Sequence, residues 1–292
     1  MIPVEASPAE IPSKFVEANG LRFHCKILGE GKPRLLLFLH GFPEFSYSWR
    51  RQLTAFEEDW CVVAPDLRGY GLSDKPAGVS EYAIGKLEDD VYALVKALGY
   101  ERCTLVGHDW GGAIAWSAVD RRPELFDQLV ILNMPHPRLL QEAFARNRRQ
   151  LLRSWYIFFF QLPRLPEALI SRRNYAFIRR AFLGMTTRRS EFPREVLDLY
   201  AENASRPGAL TAMVNYYRAA VSRKNFARKW RRLELPVQVI WGERDLALGS
   251  ELLEGTSRFV ADLRIHRIPD ASHWVQQDAP DEVNRVMREF LR

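Results

Sequence analysis

The segment Gly107-His108-Asp109-Trp110-Gly111-Gly112 decides the fold of this 292-residue chain. An apolar run at residues 103–106 precedes it, and a helix-like run at residues 113–119 follows it. The three glycines lack Cβ atoms, so the backbone can turn sharply and pack closely against a following helix. The pattern therefore predicts a buried strand, a sharp turn that presents the Asp109 side chain, and a helix.

Asp109 stands where turns of this kind usually present a serine nucleophile. A carboxylate that attacks an ester gives a strained anhydride, whereas attack on an electrophilic sp3 carbon gives an alkyl ester that water can cleave. The residue type therefore favours substrates such as epoxides or alkyl halides over esters and peptides. Taken alone, Asp109 could also be an N-cap beside packing glycines.

The composition is that of an ordinary globular chain, with 47% hydrophobic and 27% charged residues. No apolar run approaches the roughly 18 residues of a transmembrane helix, and residues 1–10 lack a signal-peptide pattern. The three cysteines, Cys25, Cys61 and Cys103, lie in strand-like runs. An odd number of buried thiols favours the reducing cytoplasm over a disulfide framework.

The net charge of +6 is unevenly distributed along the chain. Residues 138–232 contain 21 basic against 6 acidic side chains, a net of +15, and the remainder has a net of −9. A basic segment is typical of nucleic-acid or membrane-surface patches, but no nucleic-acid motif accompanies this one. We interpret it as a solvated helical surface and expect no nucleic-acid partner.

Strand-like and helix-like runs alternate outside the basic segment. An opening hairpin turns at Asn19-Gly20, and the later strand-like runs are at residues 34–39, 61–64, 103–106, 128–132, 237–241 and 264–268. Apolar residues form one helical stripe within residues 84–98 and another within 282–291. The alternation predicts an α/β fold with a mostly parallel, doubly wound sheet.

The alternation stops between residues 133 and 233, where prolines separate helix-like segments rich in arginine and aromatic residues. We predict a helical lid, or cap, that is inserted into the core. The predicted parts are residues 1–134 for the first part of the core, 135–232 for the cap and 233–292 for the second part of the core.

A carboxylate nucleophile requires a base that activates water and a group that orients this base. His273 lies in a polar loop after the last predicted strand, at the sheet edge where ligands bind. Asp245 follows the strand at residues 237–241 and is the preferred orienting acid, with Glu243 the local alternative and Asp270 a weaker one. The chain order of nucleophile, acid and histidine is the one found in enzymes built on this turn.

Backbone N–H groups near Asp109 could stabilise an oxyanion. Phe42, in His40-Gly41-Phe42-Pro43 after the strand at residues 34–39, offers one N–H group, and Trp110 offers a second. Donors of this kind each lower a reaction barrier by about 3 kcal/mol. Simple turn formation is the alternative interpretation of His40-Gly41.

With these motifs the chain resembles the epoxide hydrolase family of the α/β-hydrolase superfamily. The matching residues are His40-Gly41-Phe42-Pro43, the segment from Gly107 to Gly112, Asp245, and Ser272-His273-Trp274, and the similarity covers nearly the whole chain. The resemblance implies an α/β-hydrolase fold and hydrolysis of epoxides to vicinal diols. It implies no organic cofactor and no metal.

The resemblance also implies two lid tyrosines that hold the epoxide oxygen. Tyr156 lies in a segment that resembles the first lid motif of the family, and Tyr217 in one that resembles the second, with Tyr216 as the register-shifted alternative. A phenol with a pKa of about 10 is neutral at pH 7 and can donate a hydrogen bond or a proton to a developing alkoxide.

The predicted reaction has two steps. Asp109 attacks an epoxide carbon while Tyr156 and Tyr217 polarise the oxygen, and water activated by His273, which Asp245 orients, then hydrolyses the alkyl ester. The expected partners are a small-molecule epoxide and water, and the chain is expected to be a monomer or a homodimer. Lipophilic epoxides are favoured because apolar residues are expected to line the cleft: Phe42, Trp110, Met134, Trp155, Phe158, Phe159 and Trp274.

Three other functions compete with this prediction. A haloalkane dehalogenase shares the fold and the aspartate nucleophile, but Phe42 has no side-chain N–H with which to bind a halide. A fluoroacetate-type dehalogenase would carry arginine in place of Trp110. A non-catalytic, surface-binding protein on the same scaffold would explain the basic segment but not the complete set of reactive residues.

Overall fold

A computed structural model describes residues 11–221 and 228–291. Eight strands form one sheet: β1 Ser13–Ala18, β2 Leu21–Leu28, β3 Leu35–Leu39, β4 Cys61–Pro65, β5 Cys103–His108, β6 Phe126–Leu132, β7 Val237–Gly242 and β8 Leu263–Ile268. Their order in the sheet is β1-β2-β4-β3-β5-β6-β7-β8. Every residue of β3, β4 and β5 is buried, because helices cover both faces of the sheet centre.

The sheet is parallel from β4 to β8, and only the β1–β2 hairpin and the β2–β4 pair are antiparallel. The hairpin turns at Asn19 (φ 51°) and Gly20 (φ 72°), both in the left-handed conformation that this turn type requires. The predicted α/β fold with a mostly parallel sheet is confirmed.

Within the described ranges, five helices belong to the core: α1 Arg50–Phe56, α2 Ile84–Ala97, α3 Trp110–Arg121, α11 Val275–Asp278 and α12 Pro280–Phe290. One apolar layer includes Val91 of α2 and Ile114 of α3. The other includes Leu53 of α1 and Val283 of α12. The sheet therefore separates two hydrophobic layers, as expected of a doubly wound fold.

The remaining helices lie between β6 and β7, and we call residues 137–220 the helical insert. They are α4 Pro137–Arg146, α5 Arg148–Arg153, α6 Trp155–Phe159, α7 Leu165–Ile170, α8 Arg172–Met185, α9 Arg194–Ser205 and α10 Ala209–Ala220. Residues 222–227 of the predicted cap lie outside the described residues. None of the helices in the described ranges combines the length and the apolar composition needed to cross a bilayer.

At the turn between β5 and α3, the backbone passes very close to the backbone at the end of β3. Asp109 has φ 49° and ψ −119°, an unusual conformation for a residue other than glycine. A Cβ atom on Gly111 would overlap the carbonyl oxygen of Leu39, and one on Gly107 would overlap the carbonyl of Gly111. Because the obstacles are backbone atoms, the crossing can form only with glycine at both positions.

This packing predicts different effects of one substitution at two helical glycines. Gly111→Ala should lower the free energy of unfolding by about 3 kcal/mol because its methyl group meets the β3 backbone. Gly184→Ala in α8 is the matched control, since nothing lies within 4 Å of the position that its methyl group would occupy. It should leave stability unchanged or raise it by up to about 1 kcal/mol. Urea denaturation measures both, and equal stabilities would contradict the proposed overlap.

Candidate active site

The Asp109 carboxylate contacts a backbone N–H group of the loop after β3. Its Oδ1 accepts a hydrogen bond of 2.8 Å from the N–H of Phe42, in the loop after β3. Trp110 is the first residue of α3, so its N–H has no acceptor within that helix. The structure therefore places the Phe42 N–H against the predicted nucleophile and leaves the N–H of Trp110, the next residue in the chain, without a helical acceptor.

His273 lies between Asp109 and Asp245. Its Nδ1 is 2.7 Å from Oδ2 of Asp245, and its Nε2 is 3.6 Å from Oδ2 of Asp109. Asp245 follows β7, and its side chain is fully buried. Its carboxylate also accepts hydrogen bonds from the Asn133 side chain and from the N–H groups of Ala247 and Leu248. This arrangement fixes the imidazole ring between two carboxylates.

The two alternative acids face away from His273. Glu243 forms an ion pair with Arg267 at 3.1 Å. Asp270 forms one with Arg244, and its side chain is 72% exposed. Of the three acids considered from the sequence, Asp245 is the one that contacts His273 in the structure.

The charges at the site shift the pKa values of the histidine and the nucleophile in opposite directions. Burial by itself would lower the pKa of His273, but Asp245 and Asp109 raise it well above its ordinary value. Burial would raise the pKa of Asp109, but the hydrogen bond and charge of His273 lower it below the usual value. The carboxylates therefore favour the protonated form of His273, and His273 favours the ionised form of Asp109.

Tyr156 on α6 and Tyr217 on α10 lie across the site from the core. Their ring centroids are 5.8 Å apart, and the Tyr217 ring packs edge-on against Trp110 at 5.1 Å. Burial and the negative charge of Asp109 raise the pKa of both phenols well above the usual value. Both hydroxyl groups therefore remain protonated and able to donate at neutral pH.

Tyr216, the register-shifted alternative, uses its hydroxyl group elsewhere. The group donates a hydrogen bond of 2.7 Å to the carbonyl oxygen of Arg68 in the core. Its ring packs between Tyr70 and Tyr82, with centroids within 5.5 Å of both. Tyr216 therefore lines the same cavity as Asp109 and Tyr217, but its hydroxyl group is already engaged by the core.

A cavity of about 190 Å³ lies between the core and the helical insert, and Asp109, Tyr156 and Tyr217 line it. Most of its surface is apolar and comes from Ile84, Trp110, Ala113, Met134, Leu140, Phe144, Ile157, Trp230 and Leu248. Among the described residues, no three His, Cys, Asp or Glu side chains are grouped to hold a metal ion. The cavity suits an apolar molecule with a polar group near Asp109.

Only two of the seven predicted lining residues, Trp110 and Met134, line this cavity. Trp155 and Phe158 are each 59% exposed, so their prediction as lining residues is wrong. The reason is the direction of α6, which turns Tyr156 and Ile157 to the cavity and places Trp155 and Phe158 on its outer side.

Phe159, Trp274 and Phe42 are also not part of the cavity lining. Phe159 packs against neighbouring aromatic rings of α6, and Trp274 is buried against Phe182 of the insert at 4.4 Å between centroids. Phe42 packs edge-on against Tyr217 and Phe160. It therefore supports Tyr217 and contributes its N–H to Asp109 instead of lining the cavity.

Glu44 is a buried residue that the sequence motifs did not single out. Its carboxylate accepts hydrogen bonds from the N–H of Gly41 and from the side chains of Gln276 and Gln277, and it lies 2.7 Å from Nδ1 of His108. Nε2 of His108 in turn lies 2.7 Å from the carbonyl oxygen of His273. The available signal was a charged residue directly after His40-Gly41-Phe42-Pro43.

Comparisons with known proteins agree with this geometry. Residues 34–280 match the family model of the alpha/beta hydrolase fold. The chain is 40% identical over 283 residues to Epoxide hydrolase 4 of Mus musculus, which covers 95% of this chain and 78% of that protein. The chain belongs to the epoxide hydrolase family of the α/β-hydrolase superfamily. It is also 39% identical over 279 residues to Epoxide hydrolase 3 of Xenopus tropicalis, covering 94% and 76% of the two chains.

Solved structures of epoxide hydrolases have the same fold. The Bacillus megaterium epoxide hydrolase in complex with an inhibitor superposes with a TM-score of 0.88 at 35% identity, covering 95% of this chain and 99% of that one. An epoxide hydrolase from Vigna radiata superposes with a TM-score of 0.83 at 30% identity, covering 98% and 99%.

The contact between Asp245 and His273 predicts how the histidine titrates. Asp245→Asn should lower the pKa of His273, because it removes the charge that favours the imidazolium. NMR titration of the histidine ring signals, assigned with a His273→Gln variant, measures this change. Asp270→Asn is the matched control and should leave the titration unchanged. A larger shift in the control than in Asp245→Asn would assign the orienting role to Asp270.

Proposed function

We propose that this epoxide hydrolase family member converts lipophilic epoxides to vicinal diols through a covalent alkyl ester on Asp109. The supporting observation is the facing arrangement of two protonated phenols, Tyr156 and Tyr217, and an ionised carboxylate across one apolar cavity. A carboxylate and opposed proton donors are what the opening of an epoxide requires.

In the first step an oxygen of Asp109 attacks one epoxide carbon. A new C–O bond forms to the carboxylate, and the C–O bond between that carbon and the epoxide oxygen breaks. Tyr156 and Tyr217 donate hydrogen bonds to the developing alkoxide, and one of them supplies the proton that makes it a hydroxyl group. The two ring centroids are 5.8 Å apart, which is close enough for both hydroxyl groups to donate hydrogen bonds to one oxygen atom.

Formation of the ester changes the charge beside His273. The ester on Asp109 is neutral, so one of the two carboxylates that raise the pKa of His273 is lost. The pKa of His273 falls relative to the free enzyme. The proton that the ring gives up passes through solvent to the phenolate that the first step leaves on Tyr156 or Tyr217, and the neutral ring can then act as a base. The first step thereby prepares the base for the second.

In the second step His273 takes a proton from water, which attacks the ester carbonyl of Asp109. The N–H groups of Phe42 and Trp110 stabilise the oxyanion, and Asp245 stabilises the imidazolium that forms. Collapse of the intermediate breaks the ester C–O bond. The leaving alkoxide takes the proton of the added hydroxyl group, which releases the diol and restores the Asp109 carboxylate. No group from outside the chain is needed except water.

We also propose that the helical insert acts as the cap of this site, within the predicted boundaries 135–232. It supplies Tyr156 and Tyr217 and closes the cavity over Asp109. The buried, unpaired cysteines Cys25, Cys61 and Cys103 support a reducing compartment such as the cytoplasm.

A variant that forms the ester but cannot hydrolyse it would test the function directly. His273→Gln incubated with styrene oxide should gain the mass of one styrene oxide, because Asp109 can still attack but no base activates water. Intact-protein mass spectrometry measures the adduct, and peptide mapping should locate it on Asp109. The double variant Asp109→Asn with His273→Gln is the control and should remain unmodified.

A bromoalkane in place of the epoxide separates the two main candidate reactions. The proposed epoxide hydrolase should give an adduct with styrene oxide and none with the bromoalkane. An adduct with the bromoalkane alone would assign a haloalkane dehalogenase. Absence of an adduct with both compounds would contradict nucleophilic attack by Asp109.

The two phenols predict a specific loss of ring opening. Tyr156→Phe combined with Tyr217→Phe should slow adduct formation in the His273→Gln background by about 10²–10⁴-fold, the range typical of a proton donor. Tyr216→Phe is the matched control, since its hydroxyl group bonds to the Arg68 carbonyl. It should change stability by about 1 kcal/mol and leave adduct formation nearly unchanged. An unchanged rate in the double phenylalanine variant would exclude the assigned role.

A further inference from the structure

Large apolar side chains lie on the outer side of the helical insert. Trp155 and Phe158 on α6 are each 59% exposed, and Leu152 on α5 is 75% exposed. Leu165 and Leu169 on α7 and Phe177 on α8 are exposed as well. We call these six residues the apolar strip. Leu169 and Phe177 line one surface groove, and grouped exposed apolar side chains mark an interaction site more often than single exposed residues do.

The apolar strip is surrounded by positive charge. From Arg146 to Arg180 the sequence contains nine arginines and one acidic residue, Glu167. The Glu167 carboxylate is held by the Arg218 guanidinium in two hydrogen bonds of 2.6 and 3.0 Å. Arg153 and Arg179 are likewise paired, with Glu251 and Asp198, and the stretch retains an excess of arginines over acidic residues.

Apolar and basic groups meet in one surface groove. Its walls are Leu169, Ala176 and Phe177 on the apolar side and Arg172, Arg173 and Arg180 on the basic side. Arginine binds phosphate groups through its planar guanidinium, and here three of them stand beside side chains suited to an acyl environment. The groove therefore combines the two chemistries of a phospholipid.

We propose that the outer face of the helical insert docks on an anionic phospholipid surface. The apolar strip enters the boundary between headgroups and acyl chains, and the surrounding arginines contact lipid phosphates. Exposed tryptophan, phenylalanine and leucine next to arginine are typical of amphipathic helices that bind membrane surfaces. Negatively charged lipids attract basic residues and stabilise the bound state. Docking of this face does not depend on the reaction proposed at Asp109.

A second copy of this chain fits the face less well. A symmetric dimer through the apolar strip would place the arginines of one copy opposite those of the other, and like charges oppose association. Nucleic acid would satisfy the arginines but leave the leucines of the strip in water. An anionic bilayer accepts both the charges and the apolar side chains.

Vesicle flotation with the full chain tests the proposal. At about 50 mM salt the protein should float with vesicles of equal parts phosphatidylcholine and phosphatidylglycerol, and at least tenfold less with phosphatidylcholine alone. About 500 mM salt should weaken the binding because it screens the arginines. Failure to bind the anionic vesicles at low salt would overturn the proposal.

Two paired variants separate the apolar and basic contributions. Trp155→Ser with Phe158→Ser should reduce binding about tenfold or more. Arg172→Gln with Arg180→Gln should reduce it about 25-fold, at about fivefold for each arginine. Leu72→Ser with Ile265→Ser is the matched control on the core, where both side chains are exposed, and should bind like the parent. Thermal unfolding midpoints confirm that each variant is folded.

The remaining outcomes would assign another occupant. Binding that responds to the arginines but not to Trp155 and Phe158 would indicate a purely electrostatic partner such as nucleic acid, and would overturn the proposal. Light scattering that shows a dimer, converted to a monomer by Trp155→Ser with Phe158→Ser, would assign the apolar strip to a second copy and would also overturn it.

Discussion

The site depends on the backbone crossing in which the turn at Asp109 packs against the end of β3. Gly111 lies against the carbonyl of Leu39, at a distance that no other residue could adopt. Asp109 itself takes a left-handed conformation, which typically costs of order 1–3 kcal/mol. This strain is held by the surrounding sheet. The strained turn places the Asp109 carboxylate at the N-terminus of α3, beside the N–H of Phe42 and facing His273.

A second constraint comes from the buried carboxylate of Glu44. Burying a charge without partners is costly, so it is stable only where donors converge on it. Here the donors come from Gly41, from His108 at the end of β5, and from Gln276 and Gln277 after His273. Glu44 therefore joins the three chain segments that carry Phe42, Asp109 and His273. Small shifts of any one segment would break several of these hydrogen bonds together.

The helical insert has two faces with different chemistry, and α6 contributes to both. Tyr156 and Ile157 line the cavity, whereas Trp155 and Phe158 are exposed on the outer side. The helix is thus one layer between the Asp109 carboxylate and the outer surface. The positive charge of the insert is separated from Asp109 and Asp245, which belong to the net-negative remainder of the chain.

The sequence by itself determined the strands, the family and the candidate nucleophile. Buried strands appear as local apolar runs, and the residues from Gly107 to Gly112 carry their own steric requirement, so neither depends on distant partners. Only the tertiary structure decided that Asp245 and not Asp270 meets His273, that the Tyr216 hydroxyl bonds to the Arg68 carbonyl, and that Trp155 is exposed. These outcomes depend on side-chain directions, which are set by the packing of elements far apart in the chain.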